Sequence, residues 1–221
     1  MSDFYVKDDD ELEFVIQEAK RYFEGSKPTH DWHHVLRVYN LSQHIGRKEG
    51  ADMRILAFAA YLHDVGRCYE EEDISICHAE KGCEIARGIM ERIGMPKDFM
   101  EPVLHCILTH RFRNNNVPET IEAKVLYDAD KLDAIGAIGV ARAYSYAGEH
   151  NQMLISDFEH DYDSDLHVDH SNHSPIKEYK VKLSKIRDKM LTDEGRRIAI
   201  DRDGFMKDYF ERLKRECEGE I

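Results

Sequence analysis

His34 shares a helical stripe with Val38, Leu41 and Ile45. Its imidazole therefore faces inward, where an unpaired polar ring costs roughly 1 to 3 kcal/mol and needs a partner. The dipeptide His63-Asp64 closes another apolar stripe, that of Ile55, Leu56, Ala59 and Leu62, immediately before Val65-Gly66. This puts an imidazole and a carboxylate side by side at a helix end. Asp128, Asp130 and Asp133 lie among Val125, Leu126, Ala129 and Leu132, with Asp130 one turn beyond inward-facing Leu126. A core carboxylate without a positive partner is very costly, and coordinating a metal ion is one of the few ways to keep it ionised. Taken singly, an inward histidine is more often a hydrogen-bonded core residue, and a helical aspartate is usually solvated. The set carries more: two imidazoles and two carboxylates, each on the apolar side of a different helix or its end, make a mixed nitrogen and oxygen site.

The elements that position these groups read as nearly all helix, because apolar residues recur at three and four positions and no segment alternates as a strand does. Leu12, Val15, Ile16, Ala19 and Tyr22 form a first stripe ended by Gly25. Asp31 caps a second helix that stops at Gly50, and Asp52 caps a third that stops near Gly66. A fourth helix is expected from about His78 to Ile93, then a short fifth with Pro102 in its first turn and Val103, Ile107 and His110 on one face. Thr120 starts a sixth. Leu132 to Ala147, largely Ala, Gly, Ile, Val and Tyr, is expected to be a helix buried nearly all round. Glu149 to His173, with His160, His167, His170 and His173, reads as a long surface loop. Ser174-Pro175 opens a helix running through Ile176, Tyr179, Leu183, Ile186 and Met190, and Thr192 caps a last one ending near Glu216.

Composition narrows the classes of partner. The 221 residues hold 44 Asp and Glu against 31 Lys and Arg, a formal charge of −13. Such a surface repels a phosphate backbone, so a nucleic-acid polymer on a broad basic face is disfavoured, whereas a small phosphate ester at a local site is not. The length suits one large domain or one plus an appendage, and either buries enough surface to need no disulfides. The five cysteines, Cys68, Cys77, Cys83, Cys106 and Cys217, are odd in number and form no C-x-x-C pair, which reads as reduced thiols in a cytoplasm. Met1 to Asp10 carries acids where a targeting peptide carries bases, and the longest apolar run, Ile55 to Leu62, is too short for a bilayer. A cytoplasmic protein without membrane partners is expected; the oligomeric state is left open.

Asp31-Trp32-His33-His34, then Leu62-His63-Asp64-Val65-Gly66, then Asp128-Ala129-Asp130-Lys131-Leu132-Asp133 resemble the HD-domain superfamily of metal-dependent phosphohydrolases. Lys180 to Leu183 and Thr192 to Arg196 add a likeness to stand-alone bacterial HD hydrolases, some of which are nucleoside triphosphate pyrophosphohydrolases. The resemblance implies an all-α, compact multi-helix HD-domain bundle with additional C-terminal helices. It implies one hydrolase domain over residues 1–221, with a motif-bearing core at 28–147, the surface loop at 149–173 and helices at 174–217 packed on the core. Metal ligands carry over to His34, His63, Asp64 and Asp130.

That donor set suits manganese first, then iron, cobalt, nickel or zinc, better than magnesium. One divalent ion is expected, lowering the pKa of a water from about 15.7 to about 7 and polarising a phosphoryl group. Asp64 is placed to orient or deprotonate that water. Arg67 and Lys131, beside the motif residues, are expected to stabilise charge in the transition state, and Arg37, three residues after His34, to bind substrate phosphate. Arg142, in the most apolar helix, calls for an anion, with Asp133 favoured as a structural partner. His78 and His110 fall where binuclear members place extra ligands, but His110-Arg111 replaces their two adjacent histidines, so both are expected to line the substrate pocket. Glu70, Glu71 and Glu72 read mainly as a solvated run, with a general acid or base as the alternative. The implied reaction splits a nucleoside triphosphate into monophosphate and pyrophosphate. The alternatives are a phosphomonoesterase or phosphodiesterase on another nucleotide, or a non-catalytic metal-dependent sensor.

Overall fold

The computed structural model describes residues 10–26, 30–111, 116–158, 160 and 173–221, and no strand occurs among them. They form two compact units, Met1–Tyr127 and Asp128–Ile221.

In the first unit, α1 (Asp10–Lys20) passes through a 3-10 turn at Arg21–Phe23, and α2 spans Trp32–Glu49. The Asp31 carboxylate caps α2 by accepting from His34 N at 3.1 Å, and His34, Val38 and Ile45 are buried as their spacing predicts. Asp52 caps α3 (Met53–Leu62) by accepting from Arg54 N and Ile55 N. Every residue from Leu56 to Leu62 is buried, because a helix apolar on all sides has no solvent face to offer. Helices α2 and α6 both pack on α3.

α4 (Arg67–Glu72) is a short helix where a solvated acidic loop was expected. Glu71 and Glu72 are exposed, but Glu70 is not. α5 (His78–Arg92) packs on α4 at Gly66, where an added Cβ would lie 2.2 Å from the His78 carbonyl oxygen and 2.6 Å from Gly82 N. Only glycine allows that approach. α6 (Lys97–Thr109) begins earlier than expected, with Pro96 as its N-cap, so Pro102 lies in the helix interior rather than its first turn. Buried Met100 extends the apolar stripe backward and explains the longer helix. α7 (Ile121–Leu132) starts where Thr120 Oγ1 accepts from Ala123 N at 3.2 Å, and the division between the units falls within it.

In the second unit, α8 (Gly136–Glu149) starts later than the expected Leu132, because Gly136 adopts φ +77° and breaks the chain from α7. The expectation that it is buried all round is corrected: Ala137, Ala141, Ser145 and Tyr146 are exposed. Alanine contributes to apolar composition without demanding burial. α9 (Pro175–Val181) is capped by Ser174 but ends sooner than expected, giving way to 3-10 turns at Leu183–Lys185 and Arg187–Lys189. Leu183, Ile186 and Met190 are buried all the same, so the apolar period survives the change of helix type. α10 (Asp193–Cys217) packs on α8. Residues 150–158 and 160 are irregular, in keeping with a surface loop; His167 and His170 lie outside the described residues. No helix among the described residues is long and apolar enough to cross a membrane, and all five cysteines are unpaired thiols.

Candidate metal centre

The α2 stripe carries His34 inward, and the buried turn after α3 brings His63 and Asp64 to meet it. His34 Nε2 and His63 Nε2 are 3.3 Å apart, and they lie 3.7 and 3.8 Å from Asp64 Oδ2. The His63 Nδ1–H donates to the Ala60 carbonyl at 2.8 Å, which fixes the tautomer and leaves the Nε2 lone pair directed inward. Arg67, one turn after Asp64, donates from Nε to Asp64 Oδ2 at 3.0 Å. Burial raises the Asp64 carboxyl pKa, but the opposing pull, led by the Arg67 charge, outweighs it and holds the group well below the usual carboxylate range.

The other Asp64 oxygen faces two more imidazoles. His78, at the start of α5, has Nε2 3.2 Å from Asp64 Oδ1, and His110, just past α6, has Nε2 3.5 Å from it. The two Nε2 atoms are 3.1 Å apart. The His110 Nδ1–H donates to the Ile107 carbonyl at 2.6 Å, and the His78 Nδ1–H donates to Glu70 Oε2 at 2.6 Å. Burial, reinforced by His110 and Arg67 against the pull of Asp64, pushes the His78 pKa down to about 4, so the ring is neutral near pH 7. Both tautomers thus turn lone pairs, not protons, toward Asp64. Asp64 Oδ1 is buried with no hydrogen-bond donor.

This is a poor arrangement for a site made only of protein. Four imidazoles and a carboxylate are all buried, the lone pairs of His78 and His110 crowd the acceptor Asp64 Oδ1, and a buried acceptor without a donor carries a penalty of about 1 to 3 kcal/mol. A divalent cation removes the conflict. Neighbouring donors on an ion with bonds of about 2.1 Å lie roughly 3.0 to 3.4 Å apart, close to the separations found around Asp64. Asp64, His78 and His110 form one group whose candidate ligand atoms all lie within 4.8 Å of each other. The donor set therefore fits a divalent metal.

In the second unit, Asp130 lies on α7, partly buried, and its Oδ2 accepts from Lys131 Nζ at 2.8 Å. Asp128 behaves differently: its carboxylate accepts from Leu191 N at 2.9 Å, Thr192 N at 2.8 Å and Thr192 Oγ1 at 2.6 Å. Arg142 donates to the Asp133 carboxylate at 3.0 Å and to its carbonyl at 3.1 Å, the structural pair expected for it. Arg37 is half-buried on α2. Sequence reasoning placed His78 and His110 at a substrate pocket and did not foresee their convergence on Asp64. It also missed the partnership of Glu70 with His78, for which the only signal was a glutamate run after the His-Asp pair.

The HD domain family matches residues 31–135, and the chain is 33% identical over 194 residues to YpgQ of Bacillus subtilis, covering 86% of this chain and 85% of that protein. The chain belongs to the HD-domain family. Among solved HD proteins, the crystal structure of Bacillus subtilis YpgQ in complex with ADP superimposes with a TM-score of 0.69 at 29% identity, covering 93% of this chain and 94% of that one. An HD-superfamily hydrolase from Bacillus thuringiensis gives a TM-score of 0.73 at 28% identity, over 94% and 96% of the two chains. Ribonuclease Y of Chloroflexus aurantiacus is 32% identical over 99 residues, which is 45% of this chain but 17% of that protein. These likenesses support an HD-superfamily hydrolase, a class whose domains bind divalent metals, and the fold is the all-helical HD fold.

Proposed function

We propose that this HD protein is a metal-dependent phosphohydrolase that splits a nucleoside triphosphate into monophosphate and pyrophosphate. The observation that carries the reading is the buried Asp64 Oδ1 without a donor, ringed by imidazole lone pairs. His34, His63, Asp64 and Asp130 would hold one divalent ion, manganese before iron, cobalt, nickel, zinc or magnesium. Asp130 joins them on its motif and on its place within the family-matched span. When bound, the ion supplies a water of lowered pKa and a charge opposite the phosphate oxygens.

Each remaining role falls to a residue of the chain. The Asp64 carboxylate accepts the hydrogen bond that orients the attacking water. The water oxygen bonds to the α-phosphorus, the bond to the bridging oxygen breaks with its electron pair leaving on pyrophosphate, and the proton passes to solvent. Arg67, whose Nε donates to Asp64 Oδ2, brings its guanidinium charge to the site and is assigned to the substrate phosphate. Lys131 and Arg37 add positive charge to the remaining oxygens. The convergence of the His78 and His110 Nε2 atoms on Asp64 favours a second reading for this pair, as cation ligands rather than as the lining of a substrate pocket.

The ADP held by YpgQ supports a nucleotide as substrate. A polymer, which the ribonuclease likeness brings to mind, is set aside because a chain of charge −13 repels a phosphate backbone. In this reading residues 1–221 act as one hydrolase domain in the cytoplasm. The test is a manganese-supplemented panel of nucleoside triphosphates, diphosphates, monophosphates and cyclic dinucleotides, with products resolved by chromatography and Asp64→Asn as the blank. Monophosphate and pyrophosphate from the wild type alone are expected. Orthophosphate or opened cyclic substrate would replace this reading with a phosphomonoesterase or phosphodiesterase, and bound metal without turnover would favour the sensor.

A further inference from the structure

Glu70, outside the ligand set, is engaged through both of its oxygens at the back of His78. Oε2 accepts from His78 Nδ1–H at 2.6 Å, and Oε1 accepts from Arg111 Nη1 at 2.5 Å. Arg111 Nη1 also lies 3.1 Å from His78 Nδ1. A guanidinium only donates, so arginine and imidazole N–H groups both turn to the carboxylate between them. Glu70 reaches this place because α4 is a helix: it is three residues after Arg67, whose Nη1 lies 3.7 Å from Glu70 Oε2. Burial raises the Glu70 pKa, but the hydrogen bonds from His78 and Arg111 outweigh it and lower the value, so the group is a carboxylate near pH 7.

We propose that Glu70 is a positioning residue that makes His78 a cation ligand, and that Arg111 holds Glu70 in place. Glu70 accepts the hydrogen bond from His78 Nδ1–H, which keeps the proton on Nδ1 and turns the Nε2 lone pair toward Asp64 and His110. A carboxylate behind a ligating imidazole fixes ring and tautomer and raises ligand basicity; losing such a partner typically costs about 10- to 100-fold in metal affinity. Its two hydrogen bonds, one on each oxygen, assign Glu70 to positioning His78 rather than to proton transfer. Arg111, immediately after His110, balances the charge that Glu70 brings to the wall of the site. The inference rests on the metal-dependent reading above, and goes beyond it by naming the device that aims one ligand.

Cobalt(II) titration of metal-free full-length protein, followed by visible absorption, reads this without turnover. Glu70→Ala is expected to weaken cobalt binding by about 10- to 100-fold and to alter the band shape. Glu70→Gln, whose amide oxygen still accepts from Nδ1–H, is expected to recover most of that loss, and Arg111→Ala to show a smaller loss of roughly threefold to tenfold. In a His78→Ala background, Glu70→Ala is expected to add nothing. Should Glu70→Ala fail to fold, Arg111→Ala and the Glu70→Gln, His78→Ala pair still decide. Wild-type affinity in Glu70→Ala, or an undiminished loss in the His78→Ala background, overturns the inference while the wider reading stands. Cobalt binding that depends on Glu70 without nucleotide turnover supports the inference and overturns the substrate assignment, whereas a wild type that binds no cobalt overturns both.

Discussion

Asp64 and Asp128 are both buried aspartates in short motifs, with relative exposures of 2% and 0%, yet they have opposite surroundings. Asp128 receives two backbone N–H groups and a hydroxyl, and tethers the start of α10 to α7. Gly195 completes the fit, since a Cβ there would lie 2.3 Å from Asp128 Oδ2. Asp64 Oδ1 faces imidazole lone pairs and receives no hydrogen bond. One carboxylate is satisfied by the protein and holds structure; the other accepts from Arg67 on one oxygen and has Oδ1 left for something outside the protein. Burial alone does not separate these roles, whereas the balance of donors and acceptors does.

Substitutions should divide along that line. The largest effect is expected for Asp64→Asn: nucleotide hydrolysis should fall by more than about 100-fold, since losing a ligand exceeds the loss of an outer partner. Its metal-free melting temperature should change little, because the weakened Arg67 ion pair offsets the relief of the acceptor clash at Oδ1. Asp128→Ala should do the reverse. By stranding three donors it should lower the unfolding free energy by about 3 kcal/mol in urea titrations, while manganese affinity of the folded protein stays within a few fold. Gly66→Ala tests the seam between α4 and α5: backbone overlap should cost about 2 kcal/mol and also weaken manganese binding, because His78 begins α5. The smallest change, about 1 kcal/mol, is expected for Thr192→Ala, which loses the cap to Gly195 N but leaves Asp128 both backbone donors.

The parts legible in the sequence are those set by local chemistry. Asp31, Asp52, Thr120, Ser174 and Thr192 each accept a backbone N–H at the helix starts where their residue types predicted it. His34 and His63-Asp64 were visible as the polar members of apolar stripes. What was hidden depends on contacts between distant residues or on backbone angles. α4 reads as a loop because its acidic run shows no periodic face, yet the close approach at Gly66 packs it on α5. The break before α8 follows from the left-handed Gly136, and the early end of α9 from the turn at Lys182. His78 and His110 lie 32 residues apart; the family resemblance marks both positions as extra-ligand sites of binuclear members, but no local pattern shows that both face Asp64.

The most direct test of the difference between the two aspartates is calorimetric titration of manganese into metal-free wild type, Asp64→Asn and Asp128→Asn. The wild type and Asp128→Asn are expected to bind with similar affinity, and Asp64→Asn to lose binding. Unchanged affinity in Asp64→Asn would contradict the assignment of the buried Asp64 carboxylate as a metal ligand.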